Sequence, residues 1–194
     1  ANTSYNLAIS DSKFKFPQLF RANLAVDYKL PFDIIGTLEG IYNKDINAVY
    51  HQNINLPSTG TTLLGFDNRV RYSSRQIYSF PVASQTPATP NITNAILMKN
   101  TNKGYTYNVT LQLQRNVKNF YTMIAYSHGD SRSVNDGGSI AASIWRDRSV
   151  SVDPNSDVTS FSNFYLPNRV VAAAAYKFEY AKYFATSFGF TFES

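Results

Sequence analysis

Residues 104–115 read Gly-Tyr-Thr-Tyr-Asn-Val-Thr-Leu-Gln-Leu-Gln-Arg, and apolar and polar side chains alternate along this stretch. A β-strand repeats every two residues, so the tyrosines, valine and leucines lie on one face and the threonines, asparagine and glutamines on the other. The polar face carries almost no charge. A tilted strand of about 9–11 residues is long enough to cross a bilayer. The alternation therefore predicts the wall of a membrane-spanning β-barrel.

The composition agrees with such a wall. Only 16% of the 194 residues are charged, against about 25% in an average soluble domain. The mean hydropathy is −0.28, and no run of about 18 apolar residues exists, which argues against a helical membrane protein. Strands of a membrane barrel have a low mean hydropathy as well, because every second residue is polar.

Several classes of protein and site are disfavoured by residue usage. The chain has no cysteine, so it has no disulfide framework, thiolate metal site or thiol nucleophile. The net charge is +5, but lysine and arginine are scattered along the chain with no two adjacent, and no basic patch is written into the sequence. We therefore expect no nucleic-acid partner.

Turn residues divide the chain into extended segments. The predicted strands are residues 20–30, 34–56, 92–115, 120–132, 169–180 and 183–192. Tight turns are predicted at 31–33, 116–119 and 181–182, where Pro31 fixes the first bend. Long polar connections are predicted at 57–91 and 133–166. No helix is predicted, since no window of 11–18 residues repeats at 3.6.

The connections thus alternate between short and long, as in bacterial outer-membrane barrels. An open sheet cannot span lipid, because its unpaired backbone groups would lack hydrogen bonds. Since the smallest single-chain barrels have about eight strands, about six long strands indicate a piece of a larger barrel. The predicted fold class is all-β, an antiparallel up-and-down meander that forms part of a transmembrane barrel.

Two alternatives stay open from the sequence. The first is a soluble β-sandwich with a binding or adhesion role, which requires burial of Tyr105, Val109, Leu111, Phe188 and Phe190. The second is a small self-closed outer-membrane barrel. It requires two further strands, within 1–19 and 76–90, and pairing of the first strand with the last.

Several stretches, in order along nearly the whole chain, carry a family resemblance. They are residues 16–27 (FPQLFRANLAVD), 37–50 (TLEGIYNKDINAVY), 100–105 (NTNKGY), 126–130 (YSHGD), 133–137 (SVNDG) and 167–172 (PNRVVA). They resemble the barrel of TonB-dependent outer-membrane receptors of the Bacteroidetes, in the Oar-like branch with a carboxypeptidase-regulatory-like front domain. These are barrel-wall and loop-base residues, and none is catalytic.

The resemblance implies uptake of a ligand, which stays unidentified, through a barrel of about 22 strands in the Gram-negative outer membrane. Residues 1–194 are expected to be a single segment of that barrel with no plug domain. The implied partners are membrane lipid and lipopolysaccharide, the plug domain and TonB through the rest of the protein, and a surface lipoprotein. No cofactor and no enzymatic activity are expected.

Catalytic and metal sites find little support. The two histidines, His51 and His128, have no histidine or cysteine nearby in the sequence. Asp153, Asn155 and Asp157 match the first half of a calcium loop, but Val158 and Phe164 stand where the loop requires glycine and glutamate. We therefore predict no catalytic residue and no metal site.

Two groups of binding or lining residues are predicted. The long connections combine aromatic residues with arginines, the types that dominate binding hot spots, so an extracellular ligand is expected to contact Arg69, Arg71, Tyr72, Trp145, Arg146 and Arg148. The competing interpretation is packing among the loops and contact with lipopolysaccharide phosphates. The residues expected to face a barrel lumen are Asp27, Lys29, Glu39, Asn108, Gln112, Arg169 and Lys177.

Overall fold

The computed structural model of the chain describes residues 5–56, 61–66, 68–72, 92–148, 153–181 and 183–194. The chain forms two compact units. We name the first the loop unit: Ala1–Leu19, Asp45–Gly104 and Arg132–Asn163. The second is the meander unit: Phe20–Lys44, Tyr105–Ser131 and Phe164–Ser194.

The described residues are predominantly β-strand, with one short helix. In chain order the elements are β1 (Tyr5–Ser10), β2 (Gln18–Leu30), β3 (Ile34–Asn53), β4 (Thr61–Thr62), β5 (Val70–Arg71), β6 (Ile92–Thr101), β7 (Tyr105–Val117), β8 (Phe120–Ser133), α1 (Ala141–Arg146), β9 (Ser160–Phe161), β10 (Asn168–Tyr180) and β11 (Phe184–Glu193). The all-β prediction is confirmed, and antiparallel pairing dominates.

The meander unit is a sheet in which strands follow one another in chain order, β2–β3–β7–β8–β10–β11. β3 pairs with β7 in antiparallel register from Ile34 opposite Arg115 to Lys44 opposite Tyr105. β10 pairs antiparallel with both β8 and β11. Because only three residues separate β2 from β3, these paired strands are antiparallel as well.

Tight turns join the strands at one end of this sheet. A 3-10 turn, Pro31–Asp33, joins β2 to β3, with Phe32 at a φ of 64°. Lys118 in the β7–β8 turn and Ala181 after β10 have φ values of 53° and 44°. The left-handed conformation reverses the chain within a few residues. The predicted turn at 31–33 is confirmed. The turn predicted at 116–119 is shorter than expected, since β7 continues to Val117 and β8 begins at Phe120, and Lys182 of the third turn lies outside the described residues.

The loop unit holds the buried apolar residues of the described chain. Its β6 pairs antiparallel with the last part of β3, Ala48–Asn53, and parallel with β1. β4 and β5 form a separate hairpin, and β9 pairs with the end of β8. The buried apolar side chains come from β3, β6 and the segment after β8: Tyr50, Ile92, Ala95, Ile96 and Val134.

The structure corrects three details of the predicted meander. β1, in the segment before residue 20, pairs in parallel with β6. Residues 92–115 form two strands, because Gly104 adopts a φ of 113° that only glycine enters without strain. The connection after β8 contains α1, whose six residues are too few to produce a helical period in a window of 11–18 residues.

The meander unit's sheet is open. In the described residues its outer strands, β2 and β11, each pair with one neighbour, and the sheet does not close into a barrel. The alternative of a small self-closed barrel is therefore wrong, because the sheet of the described residues is not closed. Of the two further strands that it required, β1 lies within 1–19, whereas 76–90 lies outside the described residues.

Candidate functional site

One face of the meander unit is apolar across all six strands. The pairing places Leu38 opposite Leu111 and Ile124 opposite Ala172, so the alternating apolar residues of neighbouring strands align. The large exposed members of this apolar face are Phe20, Leu24, Val26, Tyr28, Leu38, Tyr42, Val109, Leu111, Leu113, Phe120, Ile124, Tyr126, Tyr176, Phe178, Tyr180, Phe184, Phe188, Phe190 and Phe192. No apolar side chain of the described meander unit is buried.

Aromatic rings gather toward both ends of the apolar face. Near the turns, the ring centroids of Tyr176 and Phe178 are 4.5 Å apart, and those of Phe178 and Phe188 are 5.9 Å apart. At the opposite strand ends, Tyr105 and Tyr107 stack with centroids 6.5 Å apart, and Tyr107 pairs with Tyr42. Aliphatic side chains such as Leu24, Leu38 and Leu111 lie between the two aromatic groups in β2, β3 and β7, whereas β11 carries Phe188 and Phe190 at its middle.

The other face of the same sheet is polar. Side-chain hydrogen bonds cross between strands on it: Thr37 Oγ1 donates to Asp27 Oδ1 at 2.5 Å, and Asn23 Nδ2 donates to Glu39 Oε1 at 3.1 Å. The hydroxyls of Thr110 and Ser127 are 2.8 Å apart. Strand pairing and alternation bring together on this polar face all the residues that the sequence assigned to a lumen: Asp27, Lys29, Glu39, Asn108, Gln112, Arg169 and Lys177.

Charges on and beside the polar face are paired locally. Lys29 Nζ lies 3.2 Å from Asp33 Oδ1, and Arg169 Nη2 lies 2.8 Å from Glu193 Oε1. Lys177 Nζ lies 2.6 Å from Glu179. These side chains are well exposed, so solvent screens each pair and none of them is a major source of stability. This face therefore combines hydroxyls, amides and locally paired charges with a few apolar side chains, among them Ile41 and Met123.

In the loop unit, three of the predicted binding residues contact one short segment, residues 153–157. Tyr72 Oη donates to Asp153 Oδ2 at 2.9 Å, and Trp145 Nε1 donates to Asn155 Oδ1 at 3.0 Å. Arg148 Nη2 donates to the carbonyls of Pro154 and of Ser156, the latter at 2.9 Å. These side chains therefore serve loop-to-loop packing in this structure.

Asn155 connects that segment to the end of β3. Its Oδ1 accepts from the Asn53 backbone N–H at 2.8 Å, and its Nδ2 donates to the Asn53 carbonyl at 2.9 Å. Its own carbonyl accepts from Gln52 Nε2 at 3.0 Å. The motif that the sequence suggested as half of a calcium loop is thus a hydrogen-bonding centre between distant parts of the chain.

The other three predicted loop residues lie elsewhere. Arg69 and Arg71 are exposed in the β4–β5 hairpin. Arg146 is exposed, and its guanidinium binds the carboxylate of Asp147 at 2.6 and 3.0 Å. The structure does not bring these arginines to the segment around Asn155.

Burial and hydrogen bonding set the unusual pKa values of the loop unit. Burial, with the carboxylate of Asp153 as hydrogen-bond acceptor, raises the pKa of Tyr72 to about 12. Burial lowers the pKa of His51; a hydrogen bond with Asn135 opposes that shift in part, and the Arg148 cation adds to it. Burial acts against ionisation of Asp157, but hydrogen bonds from Lys103 and Thr101 still hold its pKa below the usual range.

The loop unit contains an open cavity of about 490 Å³ that the sequence did not predict. The segment 133–148 and β9 line it with hydroxyl, amide and carboxylate groups beside apolar side chains, among them Ser133, Asp136, Ser143, Ile144 and Phe161. Serine, asparagine and glycine in 133–139 were the only sequence features pointing there. The same residue types are common in ordinary loops, so the composition of this segment could not distinguish a cavity lining from a loop without a cavity.

Within the described ranges, no group of three or more histidine, cysteine or acidic side chains is arranged to hold a metal ion. None of the helical structure described is long and apolar enough to cross a membrane. Comparison of the chain with protein-family models, with curated proteins and with solved structures found no match.

Proposed function

We propose that this chain is a segment of the barrel wall of a TonB-dependent outer-membrane receptor, which takes up an unidentified ligand. In this proposal the meander unit crosses the outer membrane, its apolar face contacts acyl chains and its polar face contacts water in the lumen. The segment acts as a rigid wall, and the loop unit is the part that meets the ligand. The chain itself is not an enzyme.

One observation carries the proposal: the meander unit has an apolar face without a core. Val109 and Leu111 expose 46% and 51% of their surface, and Phe188 and Phe190 expose 64% and 66%. Exposed apolar area in water costs about 25 cal/mol per Å², and large apolar patches mark interaction surfaces. A soluble β-sandwich would bury these residues between two sheets, so this arrangement does not fit that alternative.

The arrangement along the strands also supports a bilayer as the environment. From Ile34 to Tyr42 the strand advances eight residues, or about 26 Å at about 3.3 Å per residue, which is about 20 Å of height for a strand tilted by about 40°. Barrel walls present an apolar band about 25 Å tall between two girdles of aromatic residues. The two aromatic groups, with aliphatic residues between them in β2, β3 and β7, match that pattern.

The open edges support a larger barrel. β2 and β11 each have one paired side in the described chain, and unpaired backbone groups are not tolerated in lipid. Additional strands would have to pair with both edges. The family, the plug domain, TonB, the outer-membrane location and a lipoprotein partner rest on the resemblance of the stretches quoted above.

The absence of cysteine in the chain allows a clean test by single-site labelling. Leu111→Cys and Gln112→Cys lie on opposite faces of β7 and differ by one position. Each substitution is made in the complete barrel that the proposal requires, and the variant is labelled with an environment-sensitive fluorophore and reconstituted into phosphatidylcholine vesicles. We expect lipids with a quencher in the acyl chain to quench the label at position 111 strongly, and a water-soluble quencher to act mainly at position 112.

Two results would contradict the proposal. One is a chain that stays dissolved without detergent and leaves both labels accessible only to the aqueous quencher. The other is equal quenching by lipid at the two positions, since a two-sided wall requires a difference. A label at Thr110 serves as a second polar-face control, because Thr110 shares the face of Gln112.

A further inference from the structure

His51 is a buried histidine of the loop unit, near the end of β3. It is 5% exposed and lies opposite Met98 of β6. Asn135, from the segment that follows β8, and Arg148, just after α1, both act on its imidazole ring. Parts of the chain that are far apart in sequence therefore meet at one titratable side chain.

These three side chains leave polar atoms without partners. In the described residues, every buried side-chain atom that lacks a hydrogen-bond partner belongs to them: His51 Nδ1, Asn135 Oδ1, and Nε and Nη1 of Arg148. Buried polar atoms are otherwise almost always hydrogen-bonded. Because neither His51 Nδ1 nor Asn135 Oδ1 has a partner in ordinary hydrogen-bond geometry, Asn135 would hold a protonated imidazole only weakly.

Arg148 is the charge that acts on His51. Its Nη2 donates to the carbonyls of Pro154 and Ser156, and within the described chain none of its hydrogen bonds goes to a carboxylate. The other titratable and charged groups of the surrounding elements are bound elsewhere: Tyr50 and Lys99 to Gln52, Asp136 to Ser133 and Asn163, Arg146 to Asp147, Asp153 to Tyr72, and Asp157 to Lys103 and Thr101.

A proton on His51 would therefore place a second cation beside Arg148 in a buried site. Burial disfavours the charged form of a histidine, and a neighbouring cation disfavours it further. If the segment that carries Asn135 and Arg148 moved away from β3, water would hydrate the imidazolium. The open arrangement then binds the proton more readily than the closed one, so the closed arrangement is fully stable above about pH 6.5 and loses stability as the pH falls.

We propose that His51 makes the packing of the loop unit sensitive to acid: the neutral imidazole allows segment 133–148 to pack against the end of β3, and protonation releases that segment. The same segment lines the open cavity of the loop unit, so its release also opens the cavity. This property belongs to the loop unit and goes beyond the proposed function, since it holds whether or not the meander unit contacts lipid.

The amide groups of α1 report whether the segment is packed. The backbone N–H groups of Ile144 and Asp147 donate to the carbonyls of Ile140 and Ser143. A helix of six residues is too short to persist in water without tertiary contacts. These amides are therefore protected from hydrogen exchange only while segment 133–148 is packed.

The test is hydrogen exchange of the complete protein that contains this chain, held in detergent and followed by mass spectrometry of its peptides. Exchange is compared at about pH 7.5 and about pH 5, a range in which histidine is the side chain that ordinarily titrates, after correction for the intrinsic pH dependence of amide exchange. We expect the protection of 133–148 to fall at least about threefold at the lower pH, one pKa unit corresponding to about tenfold. Peptides of β7 should keep their protection.

The chain contains two histidines, which provides a matched pair of variants. His51→Gln should abolish the fall in protection, because the side chain no longer titrates. His128→Gln should retain it, since His128 is exposed in the meander unit. Asn135→Asp places a carboxylate beside the imidazole, which favours its charged form, so the fall should shrink or reverse.

Three results would overturn the inference: unchanged protection of 133–148 between the two pH values, a fall that persists in His51→Gln, or equal effects of the two histidine variants. Should His51→Gln fail to fold, Asn135→Asp decides, and a fall as large as in the unmodified protein would contradict the role of His51. The labelling experiment at Leu111 reports on the barrel wall alone, so failure of the acid response and failure of the barrel proposal give different results.

Discussion

Leu111→Arg places a charge in the middle of the apolar face and measures whether that face contacts lipid. Leu111 pairs with Leu38, four residues along β7 from the paired tyrosines Tyr107 and Tyr42. Four residues correspond to about 13 Å along the strand, or about 10 Å of depth for a strand tilted by about 40°. In a band about 25 Å tall, Leu111 therefore lies near the middle.

The expected magnitude follows from that depth. An arginine on the lipid face of a barrel costs about 2–4 kcal/mol at the bilayer midplane and about 0–1 kcal/mol near its surfaces. Leu111→Arg should therefore lower the free energy of unfolding in vesicles by about 2–4 kcal/mol. Gln112→Arg, one residue away on the polar face, should change it by no more than about 0.5 kcal/mol, the usual range for exposed sites.

Urea titration of the complete barrel that contains this chain, folded into phosphatidylcholine vesicles and followed by the β-sheet circular dichroism signal, gives both unfolding free energies. The difference between the variants is the diagnostic quantity, because the charge and the side-chain volume introduced are the same. Equal destabilisation by the two arginines would refute the assignment of faces. A Leu111→Arg variant as stable as the unmodified chain would refute contact with lipid.

Three further predictions concern the loop unit. Gly104→Ala should cost about 1–3 kcal/mol of unfolding free energy, because φ at Gly104 is 113° and the added Cβ would lie next to the Asp45 carboxylate. Gly40→Ala is the control: its Cβ would enter open space, so it should cost less than about 1 kcal/mol in the same denaturation assay. Equal losses for the two variants would contradict this prediction. Asn155→Ala should remove the three hydrogen bonds of the side-chain amide and lower the free energy of unfolding by about 1–3 kcal/mol. The readout is faster proteolysis within residues 133–163, and unchanged proteolysis would contradict this prediction. The phenol of Tyr72 has its pKa raised to about 12, so its contribution to stability is complete below about pH 10 and is lost as pH rises through 12. The difference in ultraviolet titration between the unmodified chain and Tyr72→Phe should show that late ionisation, and ionisation near pH 10 would contradict it.

The strands and turns of the meander unit were predictable because their causes are local. Alternation at 105–114 fixes which side chains share a face, since a strand has a period of two. Pro31 marks the first turn by its own backbone restriction. The seven residues assigned to the polar side lie on one face for the same reason, although whether that face lines a lumen stays a prediction.

The loop unit was decided by contacts between residues far apart in the chain. Asn155 lies 102 positions from the backbone N–H of Asn53 that it accepts from, and β1 pairs with β6 across more than 80 residues. Such contacts depend on loop closure and mutual burial, which leave no period in the sequence. The same three residues, Asp153, Asn155 and Asp157, fit either half of a calcium-binding loop or a hydrogen-bonding centre, so the sequence alone could not distinguish the two roles.

The sequence by itself therefore determined a two-faced sheet and the positions of its tight turns, because both follow from neighbours along one strand. Tertiary structure alone decided that Tyr72, Trp145 and Arg148 would bind the segment 153–157. It also decided that a cavity would form beside Phe161. Each of these outcomes depends on contacts between side chains from separate segments of the chain. The pattern within a single stretch of residues does not determine such contacts.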